Sequence, residues 1–160
     1  MLRELQHLCR EQMLECQYPN QLAMLSRASA PIVLLVLDYL IAKSQKTLFL
    51  PRLLKNNDLE WVVWDGDKSK LKKSGKTLEP VGEAAKDIEL DLIILPALHV
   101  DRTGNRLGQG GGSYDRVLSR SNAWSIALLH RGELTSELLP VEPHDQKIKA
   151  AATPEIIVRF

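Results

Sequence analysis

Cysteine is nearly absent from this chain of 160 residues, which has only two. Cys9 and Cys16 stand in a stretch of helical periodicity, roughly 10 Å apart at ~1.5 Å per residue, too far for a bridge within one helix. Neither belongs to a Cys-x-x-Cys pair or has a His pair nearby, so a structural zinc site and a secreted disulfide framework are both excluded. Long apolar runs are missing as well. The longest, Ile32 to Leu37, continues past Asp38 only as far as Ala42, short of the ~20 residues that cross a bilayer. No signal-peptide pattern opens the chain, and a cytoplasmic protein is expected. An excess of either charge is also lacking. Lys+Arg number 21 and Asp+Glu 20, for a net charge of +1, so nothing in the balance attracts nucleic acid or an anionic membrane. The one basic run, Lys68, Lys70, Lys72, Lys73 and Lys76, has no interleaved aromatics. It reads as a solvated loop or helix face.

What is present is the composition of an ordinary globular domain, 44% hydrophobic and 26% charged. Its length suits one domain, residues 1–160, with a sheet covered by helices. The periodicity predicts a helix over 1–17, ended by Tyr18-Pro19-Asn20. Leu22 to Leu25 fits either a short strand or a helix extension. Ser29 before Pro31 opens a second helix to Lys43, apolar on nearly every side and therefore packed on a sheet. Thr47–Pro51 and Leu59–Trp64 read as strands joined by the turn 55–58, a candidate hairpin. Leu78 to Val81 leads into a polar connection, and Asp91 opens the apolar strand Leu92–Pro96. Tyr114 to Arg120 reads as a helix with Val117 and Leu118 inward. Trp124–His130 reads as a buried strand and Glu155–Arg159 as a last short one. Strands separated by helices predict an α/β layered domain.

The stretch from Gly104 to Arg116 stands out. Four glycines, Gly108, Gly110, Gly111 and Gly112, fall within five residues, flanked by Arg106 and Arg116 and followed by Asp115. Each glycine costs backbone entropy to order, so a cluster between a strand and a helix calls for a close approach to the backbone. Consecutive N–H groups in such a loop suit anionic oxygens, phosphate first. Two common phosphate motifs fail here. The P-loop closes on Gly-Lys-Ser/Thr, which does not occur, and the dinucleotide fingerprint would need glycine where Ser113 stands. What remains is a loop offering amides, with Arg106 as a bidentate phosphate ligand and Asp115 placed for a divalent cation. The alternative is a tight turn whose Arg106 and Asp115 form a surface ion pair. One or two glycines would serve that purpose.

The pattern Gly-x-Arg-x-Gly-x-Gly-x-Gly-x-Tyr-Asp-Arg after a proline-ended strand resembles the 5-formyltetrahydrofolate cyclo-ligase family, also called methenyltetrahydrofolate synthetase. Smaller matches follow in order: Leu2-Arg3, Leu50-Pro51-Arg52, Glu79-Pro80, Asp91 to Pro96, and His144-Asp145. The resemblance implies a three-layer α/β/α sandwich with a mostly parallel central sheet. It implies an enzyme that uses ATP and magnesium to convert 5-formyltetrahydrofolate to 5,10-methenyltetrahydrofolate, releasing ADP and phosphate. Carried over, Arg3 and the span Arg106, Leu107, Gly108, Gln109, Gly110, Gly111, Gly112, Ser113 and Tyr114 would contact ATP. Gln109 to Ser113 would also border the folate, and Asp115 and Asp145 would hold Mg2+, with Arg106 and Asp115 central to catalysis. Small-molecule substrates and a monomer are expected, with no nucleic acid and no membrane partner. His99, His130 and His144 are read as structural or surface residues.

Three positions depart from the family pattern. The lysine that precedes Leu-Arg in the family is absent. Ala30-Pro31-Ile32-Val33 stands where the family has a folate-engaging carboxylate, and Ser113 stands in place of tyrosine. Losing one such contact costs ~1–3 kcal/mol of affinity, up to roughly a hundredfold. An alternative reading follows: a family relative that binds nucleotide and has lost folate chemistry.

Overall fold

A computed structural model describes residues 21–23, 47–75 and 77–160. The helices expected over 1–17 and 31–43, along with Arg3 and Ala30–Val33, lie outside these residues.

The described chain is organised on one seven-stranded sheet in the order β12-β11-β9-β6-β1-β2-β3. Its strands are β1 (Gln21–Ala23), β2 (Thr47–Leu53), β3 (Leu59–Val63), β6 (Leu92–Pro96), β9 (Trp124–Leu128), β11 (Ala150–Ala152) and β12 (Ile157–Arg159). Every neighbouring pair from β2 to β11 is parallel, while β3 and β12 close the two edges antiparallel. The expected mostly parallel α/β sheet is therefore present, and β2 and β3 form the expected hairpin. Residues 21–23 form a strand, which settles the open choice at Leu22.

The strand sequences explain why both faces are covered. Leu48, Leu50, Ile94, Ile126, Ala150 and Ala152 share one buried cluster, and Phe49, Ile93, Leu95, Ala127 and Ala151 join another. Successive side chains alternate between faces, so a strand buried on both reads as an unbroken apolar run. The second cluster also takes Val117 from the helix Ser113–Ser119. Fully burying a valine of that kind contributes ~1.5–3 kcal/mol.

Two small sheets decorate the large one. β4 (Leu71–Ser74) and β5 (Thr77–Pro80) pair antiparallel, preceded by a 3-10 turn Lys68–Lys70. The described part of the basic run, Lys68 to Lys73, is thus solvated, as expected, but as a 3-10 turn and a strand rather than a loop or helix face. Leu71 is the reason, because it packs on the core while Lys72 and Lys73 are exposed. Leu78 to Pro80 is strand, and the polar connection expected after Val81 is irregular chain up to β6. The other small sheet contains β7 (His99–Asp101), β8 (Arg106–Leu107) and β10 (Leu134–Thr135), in the order β10-β7-β8.

Strand order reverses at β1, whose neighbours are β2 on one side and β6 on the other. In open α/β sheets the crevice beyond the carboxyl ends of the strands at such a reversal is where ligands bind. β6 leaves the sheet at that end, at Pro96, and runs directly into the glycine-rich excursion. Among the described residues no helix is long and apolar enough to cross a membrane.

Candidate active site

The excursion after β6 is held by a carboxylate. Asp101, fully buried at the end of β7, accepts hydrogen bonds at Oδ1 from the Thr103 N–H (2.8 Å), the Thr103 hydroxyl (2.9 Å) and the Asn105 N–H (3.1 Å). Its Oδ2 accepts from the Asn105 side-chain amide (2.9 Å) and from the Leu139 N–H (3.1 Å). Burial pushes this carboxyl up. The Asn105 amide, the Leu139 and Thr103 N–H groups and the Thr103 hydroxyl overcome that and hold it well below the usual carboxylate range.

Gly104 completes the turn with φ +83° and donates its N–H to the Asp101 carbonyl. A Cβ there would stand 2.7 Å from the Ile148 carbonyl oxygen and 3.1 Å from the Phe160 ring. Both the backbone angle and the space require glycine. Gly104→Ala is expected to destabilise the protein by about 2–4 kcal/mol, combining left-handed strain with overpacking. Thermal unfolding checks this, and an unchanged midpoint would contradict it.

The turn delivers Arg106 onto β8, paired with Val100 of β7. Its side chain is 5% exposed, and Nη2 lies 2.7 Å from Oδ1 of Asp115, itself 15% exposed. This is the ion pair anticipated as a surface turn contact, but it is buried. The contact is one of charge rather than direction, since among the described residues neither Nε nor Nη2 of Arg106 meets an acceptor in hydrogen-bond geometry. A buried guanidinium with unanswered donors is costly unless something else comes to them. Its Cζ stands 6.0 Å from the Tyr114 ring centroid, and Tyr114 packs on the core.

The glycines follow from this crowding. A Cβ on Gly108 would approach Arg106 Nη1 to 3.2 Å. Gly112, with φ +62°, caps the helix Ser113–Ser119, and a Cβ there would press on Arg116 Nη1 at 3.2 Å. Leu107 and Gln109 are exposed at the loop rim. Ser113 begins the helix, one residue earlier than the sequence pattern suggests, and Asp115 falls in its first turn.

The segment before β11 closes the other side. Gln146 donates its N–H to Asp115 Oδ1 at 3.0 Å, which sets the turn 142–146 against Asp115. Within that turn Asp145 is exposed and its Oδ2 accepts from the Glu142 N–H at 2.7 Å. The structure thus gathers Arg106 to Asp115 beside the turn that carries Asp145. His99, His130 and His144 are exposed. Among the described residues no group of three or more His, Cys, Asp or Glu side chains forms a ready-made metal cage. A hard cation would complete its oxygen shell from phosphate and water.

Sequence reasoning passed over Asp101, Thr103 and Asn105. Their signal was available: an Asp shortly before Thr-Gly-Asn marks a turn in which the carboxylate caps nearby backbone N–H groups. Arg116 and Arg120 gave no such signal, since their partners, Asn57 and Asp58, are about sixty residues away.

A mixed α/β sheet whose reversal point carries a glycine-rich, arginine-backed loop defines a class of protein suited to anionic ligands. Comparison with known proteins then narrows it. The sequence profile of the 5-formyltetrahydrofolate cyclo-ligase family matches residues 19–154. This chain belongs to that family. It is 44% identical over 79 residues to a 5-formyltetrahydrofolate cyclo-ligase of Mycolicibacterium smegmatis, covering 48% of this chain and 37% of that protein. It is 28% identical over 134 residues to a probable 5-formyltetrahydrofolate cyclo-ligase of Schizosaccharomyces pombe, covering 73% and 66%. To the Mus musculus cyclo-ligase it is 32% identical over 123 residues, covering 68% and 60%. The matches therefore span less than two thirds of these curated relatives. The fold is that of the solved 5,10-methenyltetrahydrofolate synthetase of Aquifex aeolicus, with a TM-score of 0.75 at 20% identity, covering 99% of this chain and 80% of the other. The Mycoplasma pneumoniae synthetase gives 0.63 at 14% identity, covering 94% and 83%.

Proposed function

We propose that the protein is an ATP- and magnesium-dependent ligase that converts 5-formyltetrahydrofolate to 5,10-methenyltetrahydrofolate with release of ADP and phosphate. The observation that carries the reading is Arg106. Within the family's glycine motif it is buried and paired by charge with Asp115, and among the described residues its Nε and Nη2 donors meet no acceptor in hydrogen-bond geometry. Phosphate oxygens supply what those donors lack.

The chain's own groups then have distinct tasks. Loop amides from Leu107 to Tyr114, with Arg106 and Arg3, contact the nucleotide, and Gln109 to Ser113 border the folate. Asp115 and Asp145 are the carboxylates that would hold magnesium, and an all-oxygen donor set of this kind fits a hard divalent cation. When bound, magnesium supplies charge neutralisation at the transferring phosphoryl group. The folate formyl oxygen attacks the γ-phosphorus and ADP leaves. N10 then closes on the formyl carbon, losing its proton, and phosphate departs. Neither step needs a protein nucleophile. The loop's contribution is position and a preorganised field of donors. The layers are read as α/β/α, the apolar clusters on both faces of the sheet supporting cover on each. Action as a monomer on small-molecule substrates belongs to the same reading. Cytoplasmic placement completes the reading.

Ser113 favours a second reading. It sits at the junction of loop and helix without the ring that would stack on a folate, and a nucleotide-binding relative that has lost folate chemistry would also fit. Calorimetry separates the two. The first reading expects both MgATP and 5-formyltetrahydrofolate to bind. Nucleotide binding with no folate heat would favour the second, and heat from neither would overturn both.

A further inference from the structure

The far side of the glycine loop is tied to the β2–β3 hairpin by two arginines, neither of which the proposed chemistry uses. Arg116 Nη2 donates to the Gly111 carbonyl at 2.6 Å and to the Asn57 carbonyl at 3.0 Å. One helical turn on, Arg120 grips both Asp58 carboxylate oxygens at 2.8 Å. Residues four apart share one helix face, so the pair meets the two adjacent turn residues Asn57 and Asp58 together. Asn57 holds φ +62°, a left-handed conformation that Asn tolerates, at the point where its carbonyl receives Arg116. The guanidinium also lies against Gly112, close enough that a Cβ there would meet Nη1 at 3.2 Å. Two features thus serve one contact: a left-handed turn in the hairpin and a glycine in the loop.

We propose that Arg116 is a positioning residue for the glycine loop, fixing the Gly111–Gly112 peptide from behind by way of the β2–β3 turn. The geometry of the peptide unit gives the consequence. In a trans peptide the carbonyl and the following N–H point in opposite directions. Committing the Gly111 carbonyl to Arg116 therefore aims the Gly112 N–H to the other side of the peptide and stops that unit from flipping. Flanked by glycines, it has little intrinsic resistance to a flip. Arg120 carries a different duty. Its bidentate contact docks the hairpin, and the bond to Arg120 holds the Asp58 carboxyl below its usual range, but it does not touch the loop.

The inference rests on the proposed function only in taking this loop as the phosphate-contacting element, so its test has one arm without ligand. Arg116→Ala, Arg116→Lys and Arg120→Ala are compared with the wild type. Amide exchange at Gly110 to Ser113 in the free protein is expected to quicken about tenfold in R116A and to stay at the wild-type rate in R120A, as expected for loss of one or two charge-assisted hydrogen bonds. In turnover, R116A raises the KM for MgATP about tenfold, the folate KM rises with it because Gln109 to Ser113 border both ligands, and R116K recovers part of the loss through a single ammonium contact. Loop exchange and MgATP KM unchanged in R116A would overturn the inference. So would R120A reproducing both effects, because general docking of the hairpin would then suffice. A wild-type protein that forms no product overturns the proposed activity instead, and the exchange arm still decides the role of Arg116.

Discussion

Asp115→Asn is expected to reduce kcat by about 10²–10³-fold, as removal of one preorganised electrostatic element from a phosphoryl-transfer site does. The substitution keeps size and shape, and the asparagine oxygen can still accept the Gln146 N–H that reaches Asp115 at 3.0 Å. What it removes is charge. In the free protein Asp115 is the anion 2.7 Å from a guanidinium that is 5% exposed. Leaving such a cation without its partner costs ~3–5 kcal/mol, some of which the protein can recover by admitting water or an anion. Two readouts should therefore move together. Turnover falls steeply, and thermal unfolding of the free variant drops but recovers on adding phosphate or nucleotide, because the ligand takes the place of the lost carboxylate beside Arg106. Full activity in D115N would reject the metal and phosphate assignment. A lowered unfolding midpoint indifferent to phosphate would reject the idea that Arg106 is poised for an anion.

Asp101→Ala is expected to cost ~3–5 kcal/mol, because up to five donors in a fully buried site lose their acceptor at once. Against a total stability of ~5–15 kcal/mol, that is enough to leave much of the chain unfolded at physiological temperature. The sign of the pH dependence follows from the same network. A carboxyl whose folded pKa lies below its ordinary value of 3.8 contributes stability that is complete above that value and is lost as pH falls below it. Wild-type stability should therefore fall in acid partly through Asp101, and D101N should lack that portion of the fall. Denaturant unfolding at neutral and acidic pH checks both points. A D101A variant as stable as wild type, or a D101N variant with the same acid slope, would contradict this role.

The features legible in the sequence were those that local chemistry dictates. β6 and β9 are apolar runs, β2 and β3 are joined by a polar turn, and the glycine loop has no reason to exist unless its backbone is approached. The small sheet was not legible, because β8 and β10 are two residues long and form no pattern. They exist because Asp101 gathers the turn around itself. Ala150–Ala152 was passed over for a different reason. Three alanines favour a helix locally, but the parallel register with Ile126, Ala127 and Leu128 overrides that preference and buries all three. At the site, Arg106 and Asp115 were identifiable as residues but not as a buried pair. Arg106 stands beside the Tyr114 ring of the same stretch, but the turn at 142–146, whose Gln146 N–H reaches Asp115, comes from 31 residues further along the chain.

The most direct test is to mix the protein at a concentration comparable with 5-formyltetrahydrofolate, add MgATP, and follow the methenyl absorbance together with ADP. The predicted result is absorbance that rises only when all three components are present, with one ADP formed per methenyl product. No absorbance change under these conditions, or ADP formed at the same rate without the folate, would contradict the proposed ligase activity.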